Sequence, residues 1–228
     1  MPFFRIALAR HSAPAAHRRS CRRCSSSIRA PPESAPRICP TPLLFVSAKG
    51  WDAESHKGSS LISNIKVDTL AATLSIKGFT CLHYDLSPSS SSHLDSTAIM
   101  HHFVSHLKSE IRLSGHISFP PVIFARSFAS LIAQTYISSN PATAMMLMGN
   151  IPSTNVEVPK QLLPTPLEEF NYEPKFPIAI LTTLHEAERL RATNRLTKDP
   201  SVDLFVVRDM ESQEAFSQIE GWLDDLGI

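Results

Sequence analysis

The chain has 228 residues, 43% of them hydrophobic, and 22 Lys and Arg stand against 21 Asp and Glu. That length supports one sizeable core, and no apolar run approaches the ~18 residues a membrane-spanning helix needs. Seven glycines against 18 prolines argue against phosphate-cradling loops, and neither G-x-G-x-x-G nor G-x-x-x-x-G-K-[ST] occurs, so no nucleotide cofactor is expected.

The near-neutral total hides a split. Residues 1–40 hold eight arginines, no lysine and a single acid, Glu33. Residues 41–228 hold 14 basic and 20 acidic residues, a formal charge of −6. An Arg-, Ser- and Ala-rich, acid-poor leader has the composition of a mitochondrial presequence, and FFRIALARHSA can form a short amphipathic helix. The expectation is therefore a disordered targeting segment over 1–40, a domain over 41–228, and a mitochondrial location, in the matrix. The alternative is a plain basic tail. A nucleic-acid arm fits poorly, because the acidic remainder offers no second basic surface. Cys21, Cys24 and Cys39 fall in this leader. The C-x-x-C of Cys21 and Cys24 has no second Cys or His pair at zinc-site spacing, so no metal is expected. Cys81, in an apolar run, reads as core.

Past the leader, short apolar runs occur at 42–48, 79–84, 121–125, 144–148, 177–183 and 202–207. They are nearly continuous rather than alternating, as strands buried on both faces of a parallel sheet are. Helical spacing lies between them: Val67, Leu70, Ala71 and Leu74; Ile99 through Ile111, with Asp95 or Ser96 as cap; 128–138, apolar almost all round; 185–197; and 211–226. Strands alternating with helices predict an α/β fold, a mostly parallel sheet of about six strands with helices on both faces. The segment 87–96 reads as a solvated loop. The proline-rich stretch 150–175 is an insertion, either a small lid or irregular packing; Leu162, Leu163, Leu167 and Phe170 could line a pocket or join the core.

One serine sits where such a sheet places its sites, at the carboxyl end of a strand. Ser127 follows PVIFA and opens the next helix within Ala125-Arg126-Ser127-Phe128-Ala129. Small residues two before and two after let strand and helix pack closely, leaving the serine on a sharp turn with a helix N-terminus behind it.

With these pieces in order, residues 41–228 resemble the α/β-hydrolase family. LLFVSA leads into KGW where the family often has His-Gly; LHYDLS looks like the strand ending in Asp; FARSFAS occupies the nucleophile elbow; ESQEAFSQIEGWLDDL looks like the terminal helix. The resemblance implies Ser127 as nucleophile, with the amides of Phe128 and of Gly50 or Trp51 as an oxyanion hole. It also places the family's acid at Glu186, in the loop after PIAILTT. The departures matter as much. Both elbow glycines are alanines, and the loop after the last strand, VVRDMESQ, has no histidine where the family keeps its base. The last histidine in the chain is His185, beside Glu186, and it is the candidate substitute. His83 reads as a buried or edge structural histidine, His56 as a pocket candidate, and Arg208 and Asp209 as loop support. Two functions stay open: a mitochondrial serine hydrolase of carboxylesterase or thioesterase type acting on a small acyl ester, or a non-catalytic binding or assembly protein on the same fold, with a protein partner.

Overall fold

The computed structural model describes residues 25–48, 51, 64–86, 95–115, 117–152, 158, 160 and 162–228. In chain order these form strands β1 (Ser25–Arg29) and β2 (Cys39–Ser47), helix α1 (Asn64–Ile76), β3 (Phe79–Asp85), α2 (Ser96–Ser114), β4 (Val122–Arg126), α3 (Ala129–Ile137), β5 (Ala144–Met148), β6 (Ile178–Thr183), α4 (Leu184–Thr193), a 3-10 turn (Leu196–Lys198), β7 (Val202–Val207) and α5 (Gln213–Asp225). One seven-stranded sheet has the order β1-β3-β2-β4-β5-β6-β7. Strands β2 to β7 run parallel, and β1 pairs antiparallel with β3. All six apolar runs read from the sequence are strands.

The seventh corrects the domain boundary. Ser25–Arg29 lies within the stretch expected to be a disordered presequence, yet Ser26 pairs with Tyr84 and Ile28 with Leu82. Cys39, also assigned to the leader, is buried at the start of β2. The reason is geometric. An antiparallel edge strand needs only backbone bonding along one side, so a polar, arginine-bearing segment can cover the free edge of β3. Cys21 and Cys24 lie outside the described residues.

Side chains of the parallel strands alternate between two packed faces. On one, Leu44, Leu82, Ile123, Leu147 and Ile180 meet residues of α2, α3 and α4. On the other, Leu43, Cys81, Phe124, Met146 and Leu181 meet α1 and α5. Phe45 and Phe124 stack here with centroids 4.9 Å apart. With both faces dry, each strand must be apolar at consecutive positions, which is the pattern the sequence shows.

The helix ends follow from local chemistry. Asp95 caps α2, its side chain accepting from Thr97 N at 3.2 Å. Ser212 caps α5 by accepting from Ala215 N at 3.2 Å. Between α1 and β3 the chain reverses at Gly78, φ +108°, where a Cβ would sit 2.0 Å from Arg37 O. Only glycine fits there.

The 150–175 insertion is packing in its described part. Ile151, Leu162 and Leu163 are buried in the core, and Leu167 and Phe170 pack against it. Thr165 clasps the start of α2: Ser96 Oγ donates to Thr165 O at 2.6 Å, Ser96 N donates to Thr165 Oγ1 at 2.8 Å, and Thr165 Oγ1 donates to Asp95 Oδ1 at 2.9 Å. Further on, Tyr172 donates its hydroxyl to Gln134 of α3 at 2.9 Å, and the Arg195 guanidinium lies 4.5 Å over the Tyr172 ring.

Candidate active site

Ser127 stands between the end of β4 and the first residue of α3. Its amide still belongs to the sheet, donating to Met148 O at 3.1 Å, while its carbonyl already accepts from Ser130 N at 3.0 Å. Joining a strand bond to a helix bond across one residue forces φ to 51°, and Ser127 is the one non-glycine residue with positive φ among the described residues. For an L-residue the left-handed region costs roughly 1–2 kcal/mol. Such strain persists only where the surroundings hold it in place, and it gathers at functional sites. Ala125 and Ala129, on either side, are fully buried and let α3 begin hard against β4. Ser127 itself is half-buried.

Phe128 begins the helical turn at φ −65°. Its N–H makes no hydrogen bond among the described residues, as expected of the first donors of a helix. An oxyanion forming beside Ser127 could accept from it. The other expected donors differ. Trp51 is buried against Phe103, and its amide is already spent on Ala48 O at 2.8 Å. Gly50 and His56 lie outside the described residues.

Beside the elbow is a cavity of about 550 Å³ whose lining includes Leu70 of α1, Arg126, Met148, Asp209, Glu211 and Phe216 of α5. Ser127 is not part of that lining; its neighbour Arg126 is. The loop after β7 forms one wall and folds on itself. Asp209 Oδ1 accepts from Glu211 N at 3.0 Å, and the Asp209 carbonyl accepts from the Ser212 hydroxyl at 2.7 Å. Those bonds make Asp209 part of the turn that starts α5, the supporting role read for it from the sequence.

His185 and Glu186 are adjacent at the start of α4, above β6, two strands from β4 and so about 10 Å away at the usual strand spacing. The His185 side chain is 89% exposed, with Nδ1 3.6 Å from Glu186 Oε1. Glu186 is held by Arg189, whose Nε donates to Oε2 at 2.8 Å, and Arg189 in turn donates to Asn150 Oδ1 at 2.7 Å. No hydrogen bond joins Ser127 to an imidazole among the described residues.

A second constellation was not legible as a site in the sequence. Ser47 ends β2, Asp85 ends β3, and the two face each other in register. His83, two residues before Asp85, is buried on the same face of β3. Its Nε2 lies 2.9 Å from Ser47 Oγ, its Nδ1 lies 3.6 Å from Asp68 Oδ1 of α1, and Ser47 Oγ lies 3.1 Å from Asp85 Oδ1. The available signal was polar alternation, Cys81-x-His83-x-Asp85, closing an otherwise apolar strand. Cys81, deeper on this face, is inert: burial pushes its thiol up to about 12. Among the described residues no group of three or more His, Cys, Asp and Glu could hold a metal ion.

No family model and no curated protein matches the chain. Solved structures do. An alpha/beta hydrolase enzyme from the metagenome of sediments of the Mar Chica lagoon, Morocco, superposes with a TM-score of 0.61 at 14% identity, covering 90% of this chain and 96% of its own. The chain has the α/β-hydrolase fold. Similar in the same way are an esterase of Pyrococcus furiosus, TM-score 0.55 at 12% identity over 82% of this chain and 83% of that one, and Thermogutta terrifontis esterase 2, phosphorylated by paraoxon, TM-score 0.54 at 13% identity over 89% and 88%. In this chain Ser127 lies at the β4–α3 junction and α5 closes the described chain. The loop from Arg208 to Ser212, after β7, contains no histidine.

Proposed function

We propose that the chain is a serine hydrolase of esterase or thioesterase type, with Ser127 as the nucleophile toward a small acyl ester. The observation that carries this reading is the left-handed backbone of Ser127. A turn with no chemical task is better served there by glycine, whereas a hydroxyl held in strain beside a free helix N–H is what acyl transfer uses. In this reading Ser127 attacks the acyl carbonyl and the Phe128 amide steadies the oxyanion. His185, oriented by Glu186, takes the proton after turning inward from solvent. Turnover is expected to be slow, since an imidazole not yet seated at the serine forfeits much of the acceleration a complete triad supplies. The test is hydrolysis of short-chain p-nitrophenyl esters. Ser127→Ala should abolish the catalysed rate and His185→Ala should reduce it; a Ser127→Ala protein as fast as the parent rejects the reading.

A second reading, a binding or assembly protein on the same fold, is favoured by the lack of any imidazole bonded to Ser127 among the described residues. It predicts no turnover by well-folded protein. We also propose a mitochondrial location, supported by the arginine-rich, acid-poor N-terminal composition. With β1 part of the sheet, a targeting segment would lie before Ser25.

A further inference from the structure

We propose that Ser47 is a second activated serine, with His83 as its base, and that it reacts with small electrophilic acyl esters independently of Ser127. Among the described residues Ser47 is the serine that is hydrogen-bonded to an imidazole, at 2.9 Å. Behind that imidazole stands a carboxylate, Asp68, 3.6 Å from Nδ1. Serine, imidazole and carboxylate in this order are what nucleophile activation requires, whatever the residues' places in the chain.

The proton arrangement supports activation. Ser47 Oγ donates to Asp85 Oδ1 at 3.1 Å, and its 2.9 Å contact with His83 Nε2 takes its direction from the imidazole tautomer. If Nε2 carried the imidazole proton, the Nδ1 lone pair would face the Asp68 carboxylate, which is repulsive. With the proton on Nδ1, toward Asp68, Nε2 accepts from Ser47 once the hydroxyl turns from Asp85. Asp85, the second carboxylate, favours the imidazolium that forms when Ser47 loses its proton. Ser47 does not itself line the cavity beside the elbow. Ser47 is half-buried at the carboxyl edge of the sheet. It lies one step past the Val46–Ala125 register pair, and so beside Arg126, which lines the 550 Å³ cavity.

The step is acyl transfer. Ser47 Oγ bonds to the carbonyl carbon as its proton passes to His83 Nε2. Collapse of the adduct breaks the bond to the leaving alcohol, whose oxygen takes that proton. Water attacks the acyl-serine through the same imidazole, releasing the acid and restoring the hydroxyl. A fluorophosphonate reports the first half alone: the P–O bond forms, the P–F bond breaks, and fluoride leaves with the proton.

The experiment labels the full chain with a fluorophosphonate and maps adducts on tryptic peptides. Cleavage after Arg37 and Lys49 places Ser47 in peptide 38–49 as its only serine, and cleavage after Arg126 separates it from Ser127. The expected result is an adduct on 38–49 that survives Ser127→Ala, disappears in Ser47→Ala, and falls by about 10²-fold in His83→Gln, the usual size of a lost general base. Each variant is first shown to unfold cooperatively on heating. No adduct on 38–49 in folded parent protein, or an adduct undiminished in His83→Gln, overturns the proposal. Because the two serines are read on separate peptides, failure at Ser127 leaves this outcome intact, and the reverse.

Discussion

The strain at Ser127 can be measured without reference to activity. Ser127→Ala and Ser127→Gly both remove the hydroxyl; they differ only in the Cβ that the φ of 51° crowds. An L-residue pays roughly 1–2 kcal/mol in that region, and glycine returns roughly 0.5–1 kcal/mol of this through its freer unfolded chain. The glycine variant should therefore be more stable than the alanine variant by about 0.5–1 kcal/mol. Urea unfolding followed by circular dichroism reads this directly. With m of about 2 kcal/mol/M, the midpoints should differ by about 0.3–0.5 M with unchanged slopes. Equal midpoints, or alanine the more stable, would show that the elbow is not held in the left-handed region and would remove the main support for a functional serine.

Further outcomes follow from the same packing. Ser130 Oγ is fully buried and has no hydrogen-bond partner among the described residues, so Ser130→Ala should stabilise the fold by about 1 kcal/mol, and a loss of stability in urea would contradict that geometry. Cys81, its thiol pushed up to about 12, should ignore Ellman's reagent at pH 8 until the protein unfolds; rapid reaction in the native state would disprove its burial. Asp95 is held below its ordinary 3.8, first by the Thr165 hydroxyl and then by the Thr97 amide. Its contribution is complete above that ordinary value and is lost as pH falls through the lower folded value. The melting-temperature gap between parent and Asp95→Asn should accordingly close in acid, and a gap that widens there would reverse the sign. Phe124→Ala, which removes one ring of the Phe45 stack, should cost about 3–5 kcal/mol.

The buried strands were legible because double-sided burial writes itself into the chain as consecutive apolar residues, as in PVIFA and AMMLM. The sharp turn at Ser127 was legible because a tight strand-to-helix junction needs small neighbours at fixed offsets. β1 was not. Its SSSIR segment carries no apolar pattern, sits in an arginine-rich stretch, and is a strand only because β3 offers an edge to pair with. The Ser47–His83–Asp68–Asp85 constellation was hidden for a related reason. Its members come from three separate elements, and only the register of β2 on β3 and the seating of α1 bring them together. The insertion was half-read: its leucines are core, and the Thr165 clasp depends on a contact 69 residues away in sequence.

The proposed hydrolase activity depends most directly on whether the Ser127 hydroxyl is reactive. Mass spectrometry of the folded parent protein after fluorophosphonate treatment should find an adduct on the peptide that begins at Ser127, absent in Ser127→Ala and retained in Ser130→Ala. A folded protein that carries no adduct at Ser127 after prolonged exposure would contradict the hydrolase assignment and leave the fold to serve binding alone.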